Sequence, residues 1–129
     1  MALTPKLPRY SADATANSSF VADSSLASYQ WRLVKKTSTG LALCGSGENP
    51  LGILINKPAS GEYGDVVTSA DEVTGVAGGA ITAGASLKPA SNGKLVAGSS
   101  GDECCATALT GAAADGDLVL IHLNRHNIP

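Results

Sequence analysis

The sequence predicts an all-β fold: a small β-barrel or sandwich of many short antiparallel strands, preceded by an extended N-terminal arm. Three observations carry this. Short apolar runs recur every 8–12 residues or so, with Gly, Asn, Asp and Ser punctuating nearly every gap. No stretch of the body keeps a helical period. The punctuation also echoes itself. Gly40, Gly47 and Gly64 match Gly93, Gly101 and Gly116, at separations of 53, 54 and 52 positions. The echo spans about residues 40–67 and 93–119, and no catalytic group recurs within it.

Composition divides the chain near residue 40. All 15 glycines lie at or after Gly40, whereas four of the five aromatics precede it. Residues 1–40 carry five basic and two acidic groups; residues 41–129 carry four and nine. Residues 1–28 therefore read as the arm and 29–129 as the body. Pro5 and Pro8 oppose a helix at the start, and residues 11–28 are mostly Ser and Ala without a period. Such a segment buries too little apolar area to order itself. Two readings of it stand side by side: a tail without a role, either floppy or with its aromatics folded back on its own body, or an arm that becomes ordered on a neighbouring subunit. Tyr10, Phe20, Tyr29 and Trp31 are the candidate contacts for the second reading, since aromatic anchors dominate binding hot spots.

The alternation in Tyr29–Thr37 predicts the first strand of the body. Further strands are predicted over Leu41–Cys44, Leu51–Ile55, Asp65–Ser69, Glu72–Val76, Ala85–Leu87, Lys94–Ala97, Cys104–Leu109 and Leu118–Leu123. Asn92-Gly93 between apolar runs signals a hairpin. The acids Asp71-Glu72 and Asp102-Glu103 read as solvated edges.

Charge and composition limit the function. The chain has 129 residues, net charge −2, 43% hydrophobic and only 16% charged residues. No bulk attraction to nucleic acid or to an anionic membrane is expected, and no apolar run approaches bilayer length. The N-terminus lacks a basic-then-apolar export pattern, so synthesis in the cytoplasm with reduced thiols is expected. Cys44, Cys104 and Cys105 are an odd count without metal spacing and read as small buried hydrophobes. His122 and His126 fall on or just past a predicted strand, so their four-residue spacing does not make a metal face. Asp115-Gly116-Asp117 lacks the remaining ligands of a calcium loop and reads as a tight turn. No cofactor, metal or enzymatic activity is expected. A Cys/His hydrolase would need one thiol beside one imidazole in a cleft.

One resemblance emerges from residue order. Gly75–Leu87, Asn92–Ala97 and Ala106–Val119, with Arg32–Lys35 and Pro50–Leu54 upstream, resemble the capsid decoration (cement) proteins of tailed bacteriophages. The likeness covers about residues 30–123 and departs from the family pattern at Ala85 and Ala106. It implies a β-barrel or β-tulip-like subunit. It further implies a homotrimer on the outer surface of an icosahedral head, stapling neighbouring major capsid proteins against packaged DNA. Tyr10, Phe20, Tyr29 and Trp31 would then sit at subunit or capsid contacts. The alternative from sequence is a carbohydrate- or cell-binding β-module of a phage fibre or tail-associated protein.

Overall fold

The computed structural model describes residues 6–129. Nine strands form one sheet: β1 (Thr15–Asn17), β2 (Leu33–Lys36), β3 (Leu41–Leu43), β4 (Gly52–Leu54), β5 (Val66–Val76), β6 (Ser86–Pro89), β7 (Leu95–Ala97), β8 (Glu103–Ala108) and β9 (Leu118–Asn127). Their order is β3-β2-β4-β5-β9-β8-β6-β7, with β1 alongside β5. All strand pairings are antiparallel. The all-β expectation holds.

The order is a palindrome about β5 and β9. The hairpin β2-β3 corresponds to β6-β7, β4 to β8, and β5 to β9. Registers agree as well: Val34 faces Leu43 and Gly52, and Leu87 faces Ala97 and Ala106. Val34 and Leu87 lie 53 positions apart, Gly52 and Ala106 54. Loop hydrogen bonds repeat too. Cys44 N–H donates to Leu33 O and Gly98 N–H to Ser86 O. The β3–β4 turn is pinned by Lys35 on Glu48, and the β7–β8 turn by Lys88 on Asp102 at 2.8 Å. Gly47 and Gly101 hold left-handed φ values of +74° and +88° at equivalent points of these turns; glycine meets that geometry without a Cβ penalty. Gly116, however, is equivalent to Gly61 rather than Gly64. Gly61 N–H bonds Ala22 O, Gly116 N–H bonds Ala77 O, and both glycines are left-handed.

That last pair shows what residues 6–28 do. They are not a free arm. Arg9 and Ser11 zip onto β5 through Thr74 and Glu72: Thr74 N–H donates to Arg9 O at 2.9 Å and Ser11 N–H to Glu72 O at 2.8 Å. Downstream, β1 pairs with β5, Val21 bridges Tyr63, and Ala22 makes a parallel bridge to Leu41. In the second half, β5 itself takes this part: it pairs with β9, Val76 faces Leu118, and Ala77 makes a parallel bridge to Leu95. Leu26 N–H donates to Pro58 O as Ile81 N–H does to Ala112 O. The chain is thus two barrel-like rings of one design. The first runs leader, β3, β2, β4, β5; the second runs β5, β7, β6, β8, β9. Of the two sequence readings of the leader, the described residues show the fold-back. Met1–Pro5 lie outside the described residues.

Each ring has a core. Ala22, Leu26, Val34, Leu41, Leu54 and Val66 form the smaller cluster. Alternation sends their neighbours Leu33, Ile53 and Val67 to the opposite face, where they join the larger cluster with Leu87, Leu95, Ala106 and Ile121. The starts of β2 and β5 and the whole of β4 are therefore buried on both faces, which fixes how the rings meet.

Three sequence expectations need correction. Tyr29–Arg32 is a turn and β2 begins at Leu33. Trp31 there has φ +71° and its N–H donates to Leu54 O; Gly84, with φ +90° and N–H donating to Ala108 O, is its counterpart. Asp65–Ser69 and Glu72–Val76 are one strand, irregular between Ala70 and Val73. The acids at that irregularity are not a bare edge, because Asp13 accepts the Asp71 N–H and Ser11 Oγ the Glu72 N–H. Finally, β9 runs on to Asn127. The Asn92-Gly93 hairpin holds: both residues are left-handed between β6 and β7.

Because the leader supplies a wall and two core residues of the first ring, its removal should not leave a folded body. Leu26 is 2% exposed; Leu26→Ala is expected to cost about 2–5 kcal/mol, and deletion of residues 1–26 to abolish the cooperative transition of the first ring. Urea unfolding followed by far-UV circular dichroism checks both.

Candidate functional site

The four aromatics singled out in the sequence do not form one cluster. Tyr10 bridges Val73 and is 52% exposed. Phe20 is half-buried against the small core, with Lys36 Nζ 4.5 Å from its ring centroid. Tyr29 packs on the same core and carries Arg32 at 5.2 Å. Trp31 is half-buried against the larger core. Packing within the chain accounts for much of the last three. Tyr63, the one aromatic after Gly40, is 62% exposed. It is the counterpart of Leu118, 55 positions later and 37% exposed.

The thiols and imidazoles were the other candidates. Cys44, Cys104 and Cys105 are all free and buried. Burial pushes the Cys44 thiol up to about 11, with Glu48 adding to it, and the Cys105 thiol up to about 12. Burial raises Cys104 as well. A nucleophilic cysteine needs the opposite shift. Cys104 faces His126 across β8 and β9, but the imidazole is engaged elsewhere: Nε2 lies 2.8 Å from Ser86 Oγ and Nδ1 3.3 Å from Asn124 O. His122 lies 3.9 Å from the Asp71 carboxylate on the exposed surface. Among the described residues no group of three or more His, Cys, Asp and Glu could hold a metal ion. Asp117 caps its own turn, accepting the N–H groups of Ala113 and Ala114.

What the sequence did not reveal is a cleft between the rings. The leader follows one edge of β5 throughout, from Tyr10 at Val73 to Asn17 at Val66. The opposite edge is shared: Val66 and Val67 face β4, while Ala70 through Val76 face β9. So β4 and β9 part at Thr68 and Ser69, and a fork opens between them. Two hollows occupy it, of about 340 Å³ beside Thr68, Ser69 and Leu123 and about 270 Å³ between the Ser46–Pro50 turn and Lys88, Asp102 and Glu103. Pro50, Cys105 and Arg125 line both. Arg125 spans the fork, donating to Asn49 Oδ1 and Pro50 O. It sits where the β8–β9 register slips between Cys104 and Ala106, an irregularity of the kind that re-aims a side chain. No pattern in the run Leu118–Asn127 announces that slip.

No family model matches the chain, and no curated protein matches its sequence. In three dimensions it is similar to the head fiber gp8.5 N base of bacteriophage phi29, with a TM-score of 0.72 and 17% identity over 89% of this chain and 98% of that one. At that identity the likeness is one of fold.

The thiols give a test of this site's burial. Above pH 9.0, the ordinary thiol value, unfolded thiols lose protons that the folded chain keeps up to about 11 and 12. The folded state then binds more protons, so stability falls as pH rises through this window. Cys105→Ala should flatten that fall, as read from urea midpoints between about pH 8.5 and 10.5.

Proposed function

We propose that this protein is a structural virion component, a non-enzymatic module seated on the outer surface of a phage head. The observation that carries the reading is the fold likeness to a head fiber base, which extends over nearly the whole of both chains. The resemblance of about residues 30–123 to decoration proteins points the same way. So does the chemistry: the thiols are buried with raised pKa values, and both nitrogens of His126 lie against other polar groups.

Within that reading, the chain assembles as a homotrimer over the major capsid protein and cements neighbouring capsomers. Symmetry suits such a scaffold, since linking several modest contacts multiplies their effect. The described leader does not reach sideways, so contacts come from the surface of the rings. Of the aromatics proposed from sequence, Tyr10 is the one that offers most of its ring, with Tyr63 as a further candidate. A head fiber base is the second form of the same reading, and it is favoured by the phi29 neighbour.

Light scattering should report three chains per particle, and the protein should pellet with purified expanded heads of its own phage. Tyr10→Ala should weaken that binding by about 1–2 kcal/mol if the ring is an anchor. Heads lacking the protein should release DNA at a lower temperature if it is a cement, and at an unchanged temperature if it is a fiber base. Failure to pellet with heads, or selective binding to glycans instead, would contradict the reading.

A further inference from the structure

We infer that the fork between the rings is a docking groove for an extended polypeptide segment of a partner protein, held by strand addition to β9 and by a carboxylate on Arg125.

The backbone makes the first argument. Strand β9 pairs with β5 only as far as Leu123, which faces Ala70. From Asn124 to Asn127 it pairs with β8 alone, so among the described residues its edge toward the fork has no backbone partner. Strand edges recruit extended chain, because every unpaired N–H and C=O there is a ready hydrogen-bonding site. The fork floor at Thr68 and Ser69 lies between the stretches of β5 claimed by β4 and β9. The two hollows share Pro50, Cys105 and Arg125 in their walls. Together they make a trough rather than a single ion-sized cup.

Charge makes the second argument. The nearby cations Lys35 and Lys88 are held by Glu48 and Asp102. Arg125 instead donates to an amide oxygen and a backbone carbonyl, both neutral. Its planar fork of donors fits a carboxylate better than either. Glu103 stands at the outer rim, opposite Asn127, and bars an acidic group from that end. The occupant is therefore an extended segment whose carboxylate lies toward the Arg125 waist. This inference stands apart from the head-surface reading, since its test uses no heads.

A displayed library of random 12-residue peptides is the probe, selected on the full chain. Selected peptides should carry Asp or Glu and should shift the amide resonances of residues 49, 51–52, 68–69 and 123–127. Arg125→Glu should weaken them at least tenfold, and Ser69→Trp, which fills the floor, should do the same. Lys57→Glu, on an exposed loop, should leave them unchanged. The inference is overturned if no peptide is selected, if the shifts map to another face, if a second copy of the chain fills the groove instead, or if folded Arg125→Glu binds as the parent does.

Discussion

Strand β5 is the constraint on which the rest of the structure depends. Its eleven residues close the first ring and open the second. The leader lines one edge, and β4 and then β9 take the other on either side of the fork at Thr68 and Ser69. Its side chains alternate between two cores, Val66 in the smaller and Val67 in the larger. A central strand with an empty edge would leave buried N–H and C=O groups unpaired, at a cost near that of a lost hydrogen bond for each. The leader is what prevents this along the outer edge. Hence a segment with almost no hydrophobic signal of its own is held by a backbone ladder together with the burial of Leu26 and Ala22.

The sequence was legible where turn chemistry decides the outcome. Gly47 and Gly101 are left-handed, Asn92-Gly93 turns a hairpin, and the strands from Leu41 onward fall near their predicted places. It was illegible where pairing decides. Aligned residue by residue, Ser11–Ala22 and Val66–Ala77 share only the closing Val-Ala pair, yet the two occupy equivalent positions, because antiparallel pairing consults backbone groups and tolerates almost any side chain on an exposed face. Trp31 hid its role for a related reason: its counterpart is Gly84, and a tryptophan does not advertise a left-handed turn. The Asp71-Glu72 pair read as an interruption because the acids that break the apolar pattern sit at an irregularity, where leader side chains take up their amides. The cleft was invisible altogether, since it exists only where two strands diverge.

The proposed function draws on a scaffold whose described polar groups largely serve its own turns. Lysines pin turns, aspartates cap them, and the thiols lie protonated in the interior. The surface left over offers isolated aromatics such as Tyr10 and Tyr63 and one charged trough around Arg125. That inventory suits recognition by shape and repetition, which is the work of a module fixed on a larger assembly.

The central claim is that the leader is an integral first strand, equivalent to the second half of β5. Amide hydrogen exchange tests it residue by residue. The N–H groups of Ala22, Asp23 and Leu26 should be protected to a degree comparable with those of Ala77, Gly78 and Ile81, which make the same bonds one ring later. Exchange of the first three at the rate of an unstructured chain, with the second three still protected, would contradict the account.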